Sequence, residues 1–214
     1  MADYALLQGL DDDDRRAVLA AAVRRRYKRN EVVFHEGEPG DTFHHLAKGR
    51  VAIRASTPSG DIATLRVLGP GDLFGEQCLL DDAARRTATV VALEPVETLV
   101  LTRQQFEALR ADHASVDDIL IRHLATQVRR LSDQVTESLY VSAEKRVLRR
   151  LLEVETMWGG GIVPLTQEDL ATMAGTARPT ANRVLQAAAA DGLVSLGRAK
   201  VEVLDRAGLE KRAR

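Results

Sequence analysis

Short runs of β-branched and other apolar residues alternate with glycine- and proline-rich segments between Glu31 and Thr102. The apolar runs are EVVF, RVAIRA, IATLRVL, TATVVAL and ETLVLT, and they recur at a spacing of about ten residues. The segments between them include GEPGD, KGR, TPSGD and GPGD, whose composition is typical of turns. Short strands with this spacing predict an antiparallel sandwich or barrel.

The next segment, from Arg103 to Met157, contains no glycine or proline and predicts helices. RQQFEALRA is expected to form a short helix, and a helix about 40 Å long should follow from Ser115 to Tyr140. Apolar residues recur along it at steps of three or four, at Leu120, Leu124, Val128, Leu131, Val135 and Leu139. So narrow a stripe on a long helix favours the seam of a two-stranded coiled coil, and therefore a parallel homodimer. The alternative is a helix packed against its own barrel, and both can hold at different points along the helix.

Charged and capping residues mark the ends of two further predicted helices. Asp11–Asp14 precede RRAVLAAAVRRR, and the helix dipole favours acidic residues in a first turn. These aspartates could instead suggest a metal site, but a solvated helix start is the interpretation that we favour. Ser142 can cap a helix AEKRVLRRLLEVETMW, which Gly159–Gly161 should end. No Lys-Ser/Thr pair follows the glycines, which indicates a flexible connection rather than a phosphate-binding loop.

The C-terminal sequence VPLTQEDLATMAGTARPTANRVLQAAAADGLVSLGRAKVEVL predicts two helices and a hairpin in series. Thr166 is placed to cap the first helix, with Asp169 three residues on to accept from the free amide. Gly175 permits a sharp turn, after which a second helix begins near Pro179. LVSLG and AKVEVL then predict a small hairpin with its turn at Gly197–Arg198. This order of elements is that of a winged helix-turn-helix.

The polar face of the second helix is the candidate surface for contacting DNA. Arginine can donate to guanine O6 and N7 in the major groove, while threonine and asparagine can reach phosphates or bases. We therefore expect DNA contacts from this helix and from the start of the first one, at Arg178, Thr180, Asn182, Arg183, Thr166 and Gln167. The alternative is a solvated face on a helical pair that binds another protein.

The composition of the 214 residues limits the classes of protein that remain. An apolar fraction of 45% is enough for a substantial core, and the length suits one large or two ordinary domains. Residues 143–214 contain 12 basic and 9 acidic side chains, which allows a polyanionic partner. No apolar run approaches the ~20 residues of a membrane-spanning helix, and MADYALLQGLDDDD lacks the pattern of a signal peptide. A single cysteine, Cys78, excludes an intramolecular disulfide and a Cys-ligated iron–sulfur cluster, so a reducing cytoplasm is expected.

The sequence FGEQCLLDDAARRTATV, from Phe74 to Val90, places a carboxylate and a guanidinium on either side of a short apolar turn. QCLL fits one helical turn, whose free amides can hold an anion. Arg86 can form two parallel hydrogen bonds to a phosphate diester. Glu76 would repel that phosphate unless it accepts a hydrogen bond from a ligand hydroxyl, and a ribose cyclic phosphate carries both groups. An internal pair between Glu76 and Arg86 is the alternative that the residues leave open.

Together these motifs resemble the Crp/Fnr family of bacterial transcription regulators over nearly all of residues 5–205. The resemblance rests on VVFHEGEPGDTFHHLAKGRVAI, on GPGDLFGEQCLL with RRTATV, on the long helix and on RPTANRVL. It implies an α+β fold that begins with a cyclic-nucleotide-binding β-roll (a double-stranded β-helix or jelly roll) at residues 1–112. A long dimerisation helix and hinge is expected at residues 113–142, and a winged helix-turn-helix DNA-binding domain at residues 143–214.

In cyclic-nucleotide-binding members of this family, a Gly-Glu pair is followed ten residues later by an arginine and a hydroxyl residue. The resemblance assigns the ribose 2′-OH to Glu76, and the cyclic phosphate to Arg86 and Thr87. Backbone amides near Gly75 and Cys78 would assist. The implied cofactor is cAMP, with cGMP as a possibility.

Two departures from the family pattern affect specificity. Adjacent threonine and serine residues of the long helix contact the adenine amino group in cAMP-responsive members, and they fall at Leu131 and Ser132 here. One hydroxyl is lost and the other is kept, so the choice of base is in question. The recognition-helix trio Arg-Glu-…-Arg is matched by Arg178, Pro179 and Arg183. Because proline offers no acceptor to cytosine N4, the preference at the central base should differ.

Haem, a metal ion or no effector at all are the alternatives to a cyclic nucleotide that the family resemblance leaves open. Haem or metal sensing would use histidines, which occur at His35, His44, His45, His113 and His123. If His44 and His45 lie on a strand, their side chains point to opposite faces and are poor joint ligands. A member with a vestigial pocket would bind DNA without an effector.

The partners that the resemblance implies are a near-palindromic site in double-stranded DNA, a second copy of the chain and RNA polymerase. No catalytic arrangement and no metal site are expected.

Overall fold

The computed structural model describes residues 12–58, 60–79, 85–113 and 115–214. Asp11 of the predicted first helix therefore lies outside the described residues. The described residues form two compact units, one from the chain before Thr57 with Val67–Arg130, the other from Thr57–Arg66 with Leu131–Arg214. No helix within these ranges is both long and apolar enough to cross a membrane. The domain boundaries at residues 112 and 142 stay predictions.

Eight strands lie in the described part of the chain before Arg103. They are β1 (Val23–Tyr27), β2 (Val32–Phe34), β3 (Thr42–Lys48), β4 (Val51–Ser56), β5 (Ile62–Leu68), β6 (Leu73–Phe74), β7 (Thr89–Ala92) and β8 (Val96–Thr102). Two four-stranded sheets result, in the orders β1-β8-β3-β6 and β2-β7-β4-β5. Phe43 lies opposite Leu101 in the first sheet and Val51 opposite Ala92 in the second, and both pairings are antiparallel. The predicted antiparallel β-roll is confirmed.

The basic segment VRRRY forms strand β1 and does not extend the first helix, α1 (Asp12–Ala21). The prediction that this helix continues through the arginines is wrong. Strand β1 pairs with β8 along its whole length, so its backbone amides and carbonyls enter a ladder. Glu97 of β8 forms ion pairs with Arg24 and with Arg26 across the strands. These long-range contacts outweigh the helical spacing of the local apolar residues.

The two helices predicted after the strands are present. Helix α2 (Arg103–Asp112) begins at a capping box in which Thr102 and Gln105 exchange hydrogen bonds. Helix α3 (Val116–Tyr140) has 25 residues, which corresponds to about 37 Å. Its start packs through Val116 and Leu120 into the core of the first unit. Further along, Leu124 is half-buried, and five apolar side chains are exposed, namely Ile121, Val128, Leu131, Val135 and Leu139.

The second unit contains a helix-turn-helix with a small sheet. Its further elements are α4 (Ala143–Met157), β9 (Ile162–Val163), α5 (Gln167–Met173), α6 (Arg178–Ala190), β10 (Val194–Gly197), β11 (Lys200–Val203) and α7 (Arg206–Ala213). Ser142 caps α4 by accepting from the amide of Lys145, as predicted. The sheet order is β10-β11-β9. Leucines that are almost fully buried form the core, at Leu148, Leu151, Leu165, Leu170, Leu185 and Leu209. The predicted winged helix-turn-helix is confirmed.

The wing differs from the sequence prediction in its turn and in its surroundings. Gly197 pairs with Lys200, so the turn consists of Arg198 and Ala199 and lies one residue later than expected. Ala199 adopts a left-handed backbone with φ of 54°. The short strand β9 and the helix α7 were not predicted; Leu209 of α7 is fully buried. Two-residue strands and short C-terminal helices carry little periodicity, so they depend on the core against which they pack.

Charged side chains join α3 to α4 within the second unit. Nη1 of Arg146 donates to the carbonyl of Val141 at 2.6 Å, which ties α4 to the segment that follows α3. Glu137 of α3 forms ion pairs with Arg149 and with Arg150, and Oε1 of Glu137 lies 3.0 Å from Nη1 of Arg149. Burial alone would raise the pKa of Glu137, but hydrogen bonds and charge from these arginines lower it below its usual range. The junction is therefore held by charged contacts.

Candidate functional site

The Gly-Glu pair lies directly after β6, where the chain turns away from the sheet. Gly75 has a left-handed φ of 80°. Glu76–Leu79 form a single 3-10 turn, so the predicted helical turn is present but begins at Glu76 rather than at Gln77. Residues 80–84 and the side chain of Cys78 lie outside the described part of the chain. The described chain resumes at Arg85, and the backbone amide of Arg86 donates to the carbonyl of Glu38 at 2.9 Å.

Arg86 is only 7% exposed, and its guanidinium is held by the surrounding protein. Nη1 donates to the carbonyl oxygens of Thr42, at 2.7 Å, and Gly75, at 3.2 Å. Nη2 donates to Thr42 Oγ1 at 2.8 Å. The group lies over the ring of Phe34, with 4.1 Å from Cζ to the ring centroid. Nε is buried and has no hydrogen-bond partner among the described residues, and Nη2 uses one of its two N–H groups on Thr42, so two of the five N–H donors remain for a ligand.

His44 and His45 on β3 are buried in different surroundings. Burial, and then the positive charge of Arg86, lowers the pKa of His44 to about 3. Its ring stacks on Phe74 with centroids 4.9 Å apart. Burial lowers the pKa of His45 to about 4, and its side chain lines a small apolar cavity together with Phe106. Both rings are therefore neutral at pH 7, and across the described residues no group of three His, Cys, Asp or Glu side chains could hold a metal ion.

Glu76 faces a residue that sequence reasoning did not single out as part of the site, His123 of α3. The distance from His123 Nε2 to Glu76 Oε1 is 3.7 Å, and the histidine side chain is only 6% exposed. One signal was available in the sequence: His123 continues the spacing of Val116 and Leu120, the face of α3 that packs into the first unit. A histidine on an otherwise apolar face can be found in this way, but its partner cannot.

The remaining predicted ligand residues lie on two elements. Thr87 is exposed and follows Arg86 directly. Leu131 and Ser132 lie eight and nine residues after His123 along α3, and Leu131 is 52% exposed. The structure thus brings Gly75, Glu76 and Arg86 together within the first unit, while Leu131 and Ser132 belong to the second. The ligand roles of all these residues stay predictions.

Substituting Gly75 by alanine should destabilise the protein more than the same change at Gly37. Both glycines have φ near +80°, at 80° and 82°, so both alanines would be strained, at a cost of roughly 1 kcal/mol each. A Cβ at Gly75 would lie 2.7 Å from Arg86 Nη1 and 3.1 Å from the carbonyl of Thr42, whereas nothing lies within 4 Å at Gly37. We expect Gly75→Ala to lower the free energy of unfolding by about 1–3 kcal/mol more than Gly37→Ala. Urea denaturation of both variants measures the difference, and equal losses would contradict it.

The start of α5 is held by hydrogen bonds that use both oxygens of one carboxylate. Asp169 Oδ2 accepts from the amide of Thr166 at 2.9 Å, and Thr166 Oγ1 accepts from the amide of Asp169 at 3.0 Å. The predicted capping box is therefore present. Asp169 Oδ1 also accepts from the hydroxyl of Thr64 at 2.6 Å. Asn182 Nδ2 donates to Gln167 Oε1 at 2.5 Å, so these two candidate DNA contacts hold α5 and α6 together.

Helix α6 buries one face and exposes the predicted arginines on the other. Its buried residues are Ala181, Val184, Leu185 and Ala188. Arg178 is the first residue of the helix and is exposed. Its Nε lies 3.4 Å from Oε2 of Glu168 in α5. Arg183 is also exposed, while Thr180 is half-buried. Pro179 lies in the first turn, where the missing amide breaks no helical hydrogen bond. The two arginines are five residues apart in the chain, so they lie about 7.5 Å apart along the helix axis. This separation suits contacts with neighbouring bases.

Comparison with known proteins assigns a family description to two segments of the chain. Residues 24–113 match the cyclic nucleotide-binding domain, and residues 145–212 match the Crp-like helix-turn-helix domain. The chain is 35% identical over 206 residues to the cyclic AMP receptor protein of Thermus thermophilus, covering 96% of this chain and 95% of that protein. It is 31% identical over 195 residues to the CRP-like cAMP-activated global transcriptional regulator of Mycobacterium tuberculosis, covering 88% and 87%.

The solved structures agree with these relatives. The crystal structure of the Thermus thermophilus catabolite activator protein matches with a TM-score of 0.57 and 35% sequence identity, covering 97% of both chains. A regulator of the Crp/Fnr family from Eubacterium rectale matches with a TM-score of 0.78, covering 99% of both chains; at 21% identity it supports the fold alone. The predicted resemblance is confirmed.

Proposed function

This chain belongs to the Crp/Fnr family of transcription regulators, and from that premise we propose that a cyclic nucleotide controls its binding to DNA. It carries a cyclic-nucleotide-binding domain and a Crp-like helix-turn-helix domain. The proposed regulator is a homodimer that binds one nucleotide in each β-roll. Nucleotide binding favours the arrangement in which both recognition helices reach DNA, because the ligand binds that arrangement more tightly.

The observation that carries the proposal is the surroundings of Arg86 and Glu76 within the matched domain. A buried guanidinium with a spare Nε donor lies next to Gly75, and a partly buried carboxylate follows in the chain. The arginine suits a cyclic phosphate, which carries one negative charge, and Thr87 can add a hydroxyl donor. Glu76 suits the ribose 2′-OH as an acceptor. Backbone amides near Gly75 and Cys78 complete the proposed phosphate contacts.

We propose cAMP as the nucleotide, with cGMP as the competing ligand. Relatives that are 35% and 31% identical are named for cyclic AMP. Leu131 and Ser132 are proposed to face the base, and a leucine cannot hydrogen-bond to the adenine amino group. The base is therefore recognised with fewer polar contacts than the ribose and the phosphate, and discrimination between the two nucleotides should be modest.

The exposed apolar stripe on α3 supports the homodimer. Val128 and Val135 are seven residues apart, Leu131 lies between them, and all three are more than half exposed in the single chain. A stripe of this width along a helix of 25 residues is the surface that a second copy of the helix covers in a two-stranded coiled coil. A parallel pair would place two copies of α6 on the same side of the dimer. Their separation would match successive major grooves, about 34 Å apart, on a near-palindromic site.

Calorimetric titration of the full-length chain with cAMP, and separately with cGMP, tests the proposed effector. We expect saturable heat with about one nucleotide bound per chain, and a higher affinity for duplex DNA in the presence of the tighter ligand. Fluorescence anisotropy of a labelled duplex, selected from random sequences by the protein, measures the second effect. Absence of heat with both nucleotides would rule out the cyclic-nucleotide sensor.

One observation favours a second candidate, a regulator that binds DNA without a nucleotide. Arg86 already donates three hydrogen bonds to Thr42 and Gly75, so three of its five N–H groups have partners inside the protein. Thr42 could then hold the arginine for stability alone. This candidate predicts no calorimetric signal with either nucleotide and unchanged DNA affinity when they are added. The same titration therefore separates the two candidates. Contact with RNA polymerase is a further prediction that follows from the family.

Arg183→Ala should weaken binding to the selected duplex by about 1–3 kcal/mol if the guanidinium contacts a base. Arg183→Lys is the matched control, because lysine keeps the charge and loses the planar fork that grips guanine. We expect both variants to lose specificity, with smaller losses on random DNA. Anisotropy titrations at a constant salt concentration measure all the affinities. A lysine variant that binds like the wild type, or an equal loss on random DNA, would assign Arg183 to a phosphate instead.

A further inference from the structure

His123 of α3 is a buried side chain with an unused hydrogen-bonding nitrogen next to the proposed ribose site. The side chain is 6% exposed, and its Nε2 has no hydrogen-bond partner among the residues that the structure describes. Leaving such a group without a partner is unfavourable, so a buried histidine of this kind points to a ligand or to a contact formed in another state. The acidic oxygen that faces it is Oε1 of Glu76, at 3.7 Å.

The separation between these two atoms suits an inserted hydroxyl group. A direct N–H···O bond would require the atoms to approach by about 0.8 Å. A hydroxyl oxygen about 2.8 Å from both atoms can bridge the gap, by donating its proton to Glu76 and accepting from Nε2–H of His123. Glu76 alone uses only the donor of a hydroxyl group. The oxygen of the hydroxyl group can still accept a hydrogen bond, and His123 can donate it.

The ligand chemistry identifies the hydroxyl. In a 3′,5′-cyclic nucleotide the 3′ and 5′ oxygens are esterified to the phosphate, which leaves the 2′-OH as the single free hydroxyl of the ribose. We infer that His123 is a second ribose-binding residue, which donates from Nε2 to the 2′ oxygen while Glu76 accepts its proton. This inference rests on the proposed function and deepens it, because it assigns selection of ribonucleotides over 2′-deoxyribonucleotides to a pair of residues rather than to Glu76 alone.

The position of His123 connects the ribose to the long helix. Glu76 belongs to the turn after β6, whereas His123 lies on α3. Val116 and Leu120, on the same face of α3, pack into the core of the first unit and hold the start of the helix in place. A hydroxyl bound between Glu76 and His123 therefore contacts both the β-roll and the helix that carries the proposed dimer seam. A nucleotide without that hydroxyl would lose this hydrogen bond to the helix.

Calorimetric titration with cAMP and 2′-deoxy-cAMP, on the full-length wild type and on His123 variants, tests the inference. His123→Leu removes the donor and keeps an apolar volume in the buried position. His123→Gln keeps an N–H donor at nearly the position of Nε2 and is the conservative control. We expect His123→Leu to weaken cAMP binding by about 5- to 10-fold and to leave 2′-deoxy-cAMP binding within about twofold of the wild type. His123→Gln should restore most of the preference for the ribonucleotide.

The possible outcomes separate this inference from the proposed function. Equal weakening of both nucleotides by His123→Leu would mean that His123 acts through packing, which overturns the inference while the proposed sensor stands. Loss of the preference in His123→Gln to the same extent as in the leucine variant would also overturn it. A wild type that binds neither cAMP nor cGMP would overturn the proposed function and this inference together. Thermal melts check folding, and His123→Phe, which keeps a ring in the site, replaces the leucine variant if that variant does not fold.

Discussion

Replacing Arg86 by alanine is expected to lower the affinity for cyclic nucleotide by at least about 100-fold, because two charge-assisted hydrogen bonds to the phosphate are lost. The change also leaves the carbonyl oxygens of Thr42 and Gly75 without their donor in a buried site. Stability should therefore fall as well, and the titration must be made at a temperature at which circular dichroism shows the variant to be folded. Calorimetry with cAMP and cGMP gives the affinities.

Arg85 provides the matched control for this experiment. It is the preceding residue, it is exposed, and its Nη1 donates to the carbonyl of Gly37 at 2.8 Å. We expect Arg85→Ala to change nucleotide affinity by less than about threefold, since the net worth of one exposed hydrogen bond is small. A folded Arg86→Ala variant that binds like the wild type, together with lost binding in Arg85→Ala, would assign the phosphate to Arg85 instead of Arg86.

Val135→Asp is expected to convert the proposed dimer to monomers and to weaken binding to a two-half-site duplex by at least about 100-fold. Val135 is 59% exposed in the single chain, so aspartate should leave the fold of each chain intact. In a parallel coiled coil, however, the two carboxylates would be buried next to each other, which is strongly unfavourable. A monomer contacts one half-site and loses the contribution of the other.

Thr136→Asp is the control, because Thr136 is exposed on the neighbouring face of α3 and carries the same change in charge. Light scattering coupled to gel filtration measures the mass of each variant, and anisotropy measures DNA affinity. We expect Thr136→Asp to behave like the wild type in both measurements. Dimers of unchanged stability in Val135→Asp would show that this stripe is not the seam, and the homodimer would then need another surface.

Helix ends and helix periodicity were predictable because they depend on residues a few positions apart. The capping box of Thr166 and Asp169 follows the predicted pattern, and helix α3 begins within one residue of the expected position. Strand β1 was not predictable in the same way. Its arginines continue a helical pattern locally, and only the pairing with β8, with Glu97 between Arg24 and Arg26, makes them a strand.

The candidate site divides along the same line. The motif can be read from the sequence alone, since Gly75, Glu76 and Arg86 are recognisable from their types and their spacing. The tertiary structure decided what each of them touches: Thr42 holds Arg86, and His123 faces Glu76 from 47 positions away. The two kinds of contact differ in the distance along the chain between the residues that form them. Caps, turns and apolar stripes form between neighbours in the chain, whereas a buried hydrogen-bonding partner is set by how strands and helices pack, which depends on contacts along the whole first unit.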